Sequence, residues 1–208
     1  MLKKIPLQNR NFWFIFLILY FALGYLGINW LSLNRGDYYL LATNLDYRIP
    51  FIPEFILGYT SVYFSILILY ICLRGEPEYF QGVVAMWLMT TICYIFFLLL
   101  PVKMIMRPDL SHEHGFFITL TKLYYTIDEP YNCFPSLHVA YPTMALLLTW
   151  HSHKILRWLF AFFFVWISLS VLFVKQHYIV DVVAGIAIAF FSYRMTLHTK
   201  KWWGKIYS

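Results

Sequence analysis

The chain contains 208 residues, of which 61% are hydrophobic, 22% aromatic and only 12% charged, and its formal net charge is +6. Since soluble domains usually contain about 25% charged residues, this composition leaves too little polar surface to cover a water-soluble globule, and we predict a membrane protein. The basic residues are scattered, which argues against binding to nucleic acid, and three cysteines are too few for a disulfide framework.

Six long apolar stretches follow one another along the chain. Each approaches the roughly 20 residues that a helix needs to cross a bilayer, and their apolar residues are continuous rather than alternating, which favours helices over strands. The predicted spans cover residues 11–33, 56–74, 84–102, 136–151, 156–174 and 179–197. We therefore expect an all-α protein with six transmembrane helices, organised as a single domain over residues 1–208.

The lysines and arginines outside these spans are unevenly distributed. With six spans both termini lie on one side of the membrane, and that side holds ten of the 16 basic residues. Because cytoplasmic loops carry the excess of Lys and Arg, we expect cytoplasmic termini and a location in the cell (inner) membrane. The two larger connections, residues 34–55 and 103–135, then face outwards, and the second contains an amphipathic stretch, Phe116–Ile127, that suits the membrane surface.

Three polar clusters occur at the outward ends of the spans. The first contains Lys103 and Arg107, after the third span. If that helix continues, residues four apart share one face, and two cations there suit a phosphate dianion, which arginine can bind through two hydrogen bonds. Alternatively, both are residues whose long side chains reach the interface from the end of a span.

The second cluster opens the fourth span. Pro135 stands at a helix start, where its missing N–H costs nothing. The N–H groups of Ser136, Leu137 and His138 are then expected to point outwards, and a helix N-terminus binds anions. His138 adds a proton donor beside that anion. The alternative is an ordinary capped helix with an interfacial histidine.

The third cluster contains Lys175, His177 and Asp181, at the start of the sixth span. A carboxylate one turn away can hold the proton on one ring nitrogen of His177 and leave the other as a nucleophile or base; the alternative is a structural His–Asp pair. Together the clusters suit phosphoryl transfer, which needs positioning and stabilisation of negative charge. His112 and His114 form only a weak metal motif, so we expect no metal and no cofactor.

The three clusters, in this order, resemble the signature motifs of the type-2 phosphatidic acid phosphatase superfamily. The resemblance covers about residues 101–185. The segments around His138 (Asn-Cys-Phe-Pro-Ser-Leu-His-Val) and His177 (Lys-Gln-His-Tyr-Ile-Val-Asp) are similar to one branch, the inositol phosphorylceramide synthases and related bacterial lipid phosphatases.

The resemblance implies a role for each matching residue. His177 resembles the nucleophile that forms a phosphohistidine, with Asp181 orienting it and His138 protonating the leaving group. The phosphate oxygens would be held by Arg107, by Ser136 and by the backbone N–H of Leu137. Two further residues, Lys103 and Lys175, stand outside the positions of the family's usual Lys and Arg, and we treat them as candidate replacements that bind phosphate.

The expected substrate is a membrane lipid, since a site at the membrane surface is reached by lateral diffusion. Candidate classes are phosphatidate, phosphatidylglycerol phosphate, polyprenyl pyrophosphate and a lipid A phosphate. We expect a metal-independent hydrolase; the alternative is a lipid phosphotransferase that passes the phosphoryl headgroup to an alcohol. A transporter or a catalytically silent lipid-binding protein is disfavoured, because transport sites usually lie near the bilayer midplane.

Overall fold

The computed structural model describes residues 8–33, 35–74, 76, 78–151 and 154–203. Its α-helices are α1 (Gln8–Leu33), α2 (Ile56–Leu73), α3 (Glu78–Leu99), α4 (Phe116–Ile127), α5 (Leu137–Thr149), α6 (Lys154–Phe173) and α7 (Ile179–Trp203). Two 3₁₀ turns, Asp46–Arg48 and Pro53–Phe55, precede α2. Within these described residues no strand forms beyond one isolated bridge between Tyr39 and Val102. The predicted all-α class is confirmed.

Five helices, α1, α2, α3, α6 and α7, are long and apolar enough to cross a membrane. The prediction of a membrane protein is therefore supported. The fourth predicted span, 136–151, forms the shorter helix α5 with 13 residues, which rises about 20 Å against a hydrocarbon core of roughly 30 Å. Six full-length spans are thus not confirmed, because α5 ends at Thr149 and a turn follows.

The short helix α5 occupies the centre of the bundle, where it packs against α2, α3, α6 and α7. One end of the bundle contains the end of α3, the start of α5 and the corner between α6 and α7; we call it the loop end. The opposite end, with the start of α1 and the end of α7, is the terminal end. Leu148 of α5 lies beside Gly82 of α3 near the terminal end. The N-terminus of the shorter helix α5 therefore does not extend as far towards the loop end as α3 does.

The connections at the loop end cover the start of α5. Helix α4 has the predicted bounds, Phe116–Ile127, and packs against α2 and the second 3₁₀ turn. Ahead of it, the segment after α3 is extended: Tyr39 N–H donates to the Pro101 carbonyl at 2.8 Å, and Lys103 N–H donates to the Tyr39 carbonyl at 3.2 Å.

This extended segment corrects two expectations about the third span. The helix was predicted to reach residue 102, but α3 ends at Leu99, since a residue before proline avoids the helical conformation and Pro101 is close. Lys103 and Arg107 consequently share no helical face. Their side chains have separate environments, described below.

Candidate active site

The corner between α6 and α7 holds His177. Helix α6 ends in a Schellman motif, in which the N–H groups of Lys175 and Gln176 donate to the carbonyls of Leu172 and Val171 at 3.2 and 3.0 Å. Lys175 occupies the left-handed position of this motif, with φ of 52°. The His177 N–H also donates to the Val171 carbonyl, at 3.1 Å. The backbone of this corner therefore fixes the position of the His177 ring.

The His177 ring faces two acceptors through a single nitrogen. Its Nδ1 lies 2.9 Å from the Cys133 carbonyl and 3.4 Å from Asp181 Oδ2. The same carboxylate oxygen accepts the Tyr178 N–H at 2.8 Å, which fixes its orientation. Because both neighbours of Nδ1 are acceptors, the proton belongs on Nδ1 and the lone pair on Nε2. Nε2 is therefore the atom of His177 available as a nucleophile or base.

The start of α5 is attached directly to this corner. Ser136 caps α5, with its Oγ accepting the Val139 N–H at 3.4 Å, and its own N–H donates to the Asp181 carbonyl at 3.0 Å. Gly185 permits this close approach, since a Cβ there would lie 2.5 Å from the Ser136 carbonyl oxygen. The N–H groups of Leu137 and His138 remain without an acceptor among the described residues. Of the three N–H groups predicted to bind an anion, these two are therefore unpaired within the described part of the chain, whereas that of Ser136 is already used.

His138 has a different kind of environment from His177. Its ring stacks on that of Tyr59, with 4.3 Å between centroids and 26° between planes. The Tyr59 hydroxyl donates to one carboxylate oxygen of Asp128, and the Tyr25 hydroxyl donates to the other. No described residue hydrogen-bonds to the ring nitrogens of His138. Helices α1, α2 and α4 thus support the ring while leaving its nitrogens available to a ligand.

The two imidazoles lie close together, with ring centroids 5.7 Å apart and an angle of 55° between their planes. His177 is almost buried, at 7% exposure, and His138 is half-buried. The motifs of two segments distant in sequence are therefore assembled in one place at the loop end. A group placed between the rings can be attacked by one and protonated by the other.

Arg107 lies beside this pair and is held by the end of α4. Its Nη1 donates to the Tyr125 carbonyl at 3.2 Å, and its Nη2 donates to the Asp128 carbonyl at 2.7 Å and to the side-chain oxygen of Gln176. The guanidinium also stacks 4.5 Å from the centroid of the Tyr125 ring. Gln176 directly precedes His177, so the charge of Arg107 is fixed next to the nucleophile candidate.

The two lysines predicted to bind phosphate have partners of their own. The Lys103 ammonium lies over the rings of Tyr38 and Tyr131, 4.6 and 5.2 Å from their centroids. The Lys175 ammonium is buried and donates to the carbonyls of Asp46 and Ile49 at 3.0 and 2.6 Å. Burial lowers the pKa of Lys175, an effect that the Asp46 carboxylate opposes. In this structure Lys175 joins the connection between α1 and α2 to the His177 corner.

Some supporting groups were missed by the sequence analysis. The Cys133 carbonyl is closer to His177 than Asp181 is, and Tyr59 and Asp128 support His138. A backbone carbonyl leaves no signal in sequence. For Asp128, the available signal was a carboxylate in an outer connection near an apolar helix, which alone does not identify its partners. The buried Cys133 thiol has a raised pKa because of burial, so it is a poor nucleophile.

A profile of the PAP2 superfamily matches residues 48–195, a range that contains all three clusters and well over half of the chain. The chain therefore belongs to the PAP2 superfamily, and the predicted membership is confirmed. Neither a curated protein nor a solved structure matches the chain. Membership in this superfamily indicates activity of the phosphatase or phosphotransferase type.

Proposed function

We propose that the protein is a metal-independent membrane lipid phosphatase, which hydrolyses a lipid phosphate or pyrophosphate through a phosphohistidine. The observation that carries the proposal is the pair of imidazoles, 5.7 Å apart, of which one has its Nδ1 held by two acceptors. That arrangement fits a nucleophile and a proton donor on opposite sides of one phosphorus atom.

The first step transfers the phosphoryl group to the protein. Nε2 of His177 attacks phosphorus, the bond from phosphorus to the leaving oxygen breaks, and protonated His138 gives its proton to that oxygen. Arg107 and the free amides of Leu137 and His138 stabilise the charge on the other phosphate oxygens. Asp181 and the Cys133 carbonyl stabilise the positive charge that develops on the His177 ring.

The second step returns His177 to its starting state. Neutral His138 removes a proton from water, the water oxygen attacks phosphorus, and the bond from phosphorus to Nε2 breaks. Inorganic phosphate is released, and His138 is again protonated. An alcohol in place of this water gives the phosphotransferase reaction of the inositol phosphorylceramide synthase branch, which remains the alternative.

The proposed substrate class is a lipid with a terminal phosphate or pyrophosphate, such as phosphatidate, phosphatidylglycerol phosphate, polyprenyl pyrophosphate or a lipid A phosphate. The proposed location is the cell (inner) membrane, with the termini in the cytoplasm and the site at the outer or periplasmic face. Five apolar helices and a site assembled at one end of the bundle support this proposal, because a headgroup lies at the corresponding depth.

The test is phosphate release by purified protein in detergent with a chelator present, using this panel of lipids. The natural protein should release phosphate and acquire an acid-labile phosphoryl group, and the His177→Ala variant should do neither. Release that requires an added alcohol would replace the hydrolase with the phosphotransferase. Equal release by the folded His177→Ala variant would overturn the proposed mechanism.

A further inference from the structure

An apolar cavity of about 370 Å³ lies inside the bundle next to His138. Its walls come from α1, α2, α3 and α5, and representative lining residues are Leu17, Val62, Met86 and Leu148. Among the described residues that line it, His138 is the one with an imidazole, a side chain that can act as a general acid or base. The cavity therefore suits a hydrocarbon group and has the proposed catalytic acid, His138, at one end.

The cavity opens sideways, towards the position of the bilayer. Ile18 of α1 and Leu67 of α2 line it and are also 46% exposed on the surface of the bundle. Helix α1 packs mainly on α3 rather than on α2, which leaves the opening between α1 and α2. A chain in the membrane can enter by this route without passing through water.

Aromatic rings close the cavity towards the terminal end. Phe14 of α1 stacks on Tyr70 of α2, with 3.8 Å between centroids, and Tyr70 lies 6.1 Å from the Tyr79 ring of α3. The Tyr79 hydroxyl donates to the Arg10 carbonyl, which joins α3 to α1 beneath these rings. We call Phe14, Tyr70 and Tyr79 the aromatic floor.

The dimensions of the cavity match one extended chain. Tyr25 lines the cavity near His138 and Phe14 lines its floor, and at 1.5 Å per residue they stand about 16 Å apart along α1. A volume of about 370 Å³ along this axis has room for one chain across it. The floor consequently limits how long that chain can be.

We propose that this cavity binds one hydrocarbon chain of the lipid substrate, and that the aromatic floor sets the preferred chain length. The inference rests on the proposed function, because it places the phosphate of the same lipid between His138 and His177. The cavity adjoins His138, which protonates the leaving oxygen, so the chain belongs to the group that leaves. The phosphoryl group then stays on His177, and the lipid departs as an alcohol or, from a pyrophosphate, as a lipid monophosphate.

The first experiment narrows the cavity. Phosphate release is measured for the natural protein, for Leu17→Trp and for the matched control Leu19→Trp, whose side chain is 52% exposed on the same helix. The substrates are monoalkyl phosphates from butyl to octadecyl. Leu17→Trp should lower kcat/KM for the longest chains about tenfold or more and change that for butyl phosphate less than about twofold.

A second variant lengthens the cavity. Phe14→Ala should shift the alkyl chain length that gives the highest kcat/KM towards longer chains. Phe12→Ala, on a residue that is 60% exposed, should leave this preferred length unchanged. An optimum that neither Leu17→Trp nor Phe14→Ala moves would overturn the inference. So would an equal loss of kcat/KM for all chain lengths in folded Leu17→Trp protein.

A binding experiment separates this inference from the proposed reaction. Hexadecyl phosphate with a photoreactive diazirine at its chain end is photolysed with the protein in detergent. Labelling of the aromatic floor supports the chain site even if no alkyl phosphate is hydrolysed, in which case the proposed hydrolase alone fails. Labelling confined to outward-facing residues such as Leu19 overturns the chain site even if phosphate is released.

Discussion

The two histidines of the site are held in contrasting ways. His177 is fixed mainly by its own corner of the chain, through the Schellman motif before it and Asp181 four residues after it. One further acceptor, the Cys133 carbonyl, comes from a segment that is distant in sequence. His138 is supported by side chains from other helices, through a ring stack with Tyr59 and the carboxylate of Asp128.

This difference has a chemical counterpart. The proposed nucleophile needs one tautomer and one direction of attack, which backbone groups and a fixed carboxylate provide. The proposed acid must bind and release a proton during each turnover, and its ring nitrogens have no partner among the described residues. Support by ring stacking holds the plane of His138 without occupying those nitrogens.

Removal of the nucleophile should have the largest effect. His177→Ala should lower phosphate release by roughly 10⁴-fold or more, because no phosphohistidine can form. Phosphate release and trapping of the acid-labile intermediate measure this change. His198→Ala, on an exposed residue near the terminal end of α7, is the matched control and should retain full activity.

Loss of the proposed acid, His138, should have the second-largest effect on activity. His138→Ala should slow hydrolysis of alkyl phosphates by about 10³-fold but slow that of nitrophenyl phosphate far less, since a good leaving group needs little protonation. The comparison of kcat/KM between the two substrates measures the effect. An equal loss for both would remove His138 from the acid role.

Asp181→Asn should have an intermediate effect, a loss of about 10²-fold in kcat. The charge that stabilises the His177 imidazolium is removed, but the Cys133 carbonyl still holds Nδ1–H. Circular dichroism and a melting curve should establish that the variant is folded. A loss as large as that of His177→Ala would indicate that the carbonyl contributes little to the orientation of the ring.

Asp128→Asn tests the support of His138 directly, and we expect it to lower kcat/KM about tenfold. The hydroxyl of Tyr59 loses its charged acceptor, so the stacked ring is held less firmly. The change should disappear when His138→Ala is already present, which a double-mutant cycle measures. Losses that simply multiply would show that Asp128 acts on folding rather than through His138.

The smallest effect is expected for Cys133→Ala, with less than about a threefold change in kcat/KM. The group that contacts His177 is the backbone carbonyl, which this substitution keeps. A much larger loss in folded protein would mean that the Cys133 side chain, which is 2% exposed, is itself required for the geometry.

The fold was predictable where one signal dominated. The amphipathic periodicity of Phe116–Ile127 predicted the bounds of α4, and continuous apolar runs located the long helices. The predicted bounds of α3, 84–102, were wrong because hydrophobicity does not determine where a helix ends. The helix begins at Glu78, before the apolar run, and it stops at Leu99 because of Pro101. The predicted span 136–151 located α5 closely, although the helix, Leu137–Thr149, is three residues shorter than predicted.

The site was predictable to the extent that its partners are neighbours in sequence. His177 and Asp181 are four residues apart, and their proximity followed from that spacing. Asp128 meets Tyr59 and Tyr25 only after three separate helices have packed together, and no local spacing encodes this. The partners of the Lys103 and Lys175 ammonium groups likewise lie outside the motifs: Tyr38, Asp46 and Ile49 are in the connection between α1 and α2, and Tyr131 is in the connection between α4 and α5.

The shortness of α5 determines the electrostatic setting of the site. Because α5 is level with α3 near the terminal end and its 13 residues rise only about 20 Å, its N-terminus stops short of the end of α3, whose 22 residues rise about 33 Å. A phosphate at the proposed site would therefore be surrounded by protein rather than by bulk water, and in such a medium Coulombic attraction is several times stronger. A single fixed guanidinium, that of Arg107, then attracts a dianion far more strongly than it would at an exposed surface.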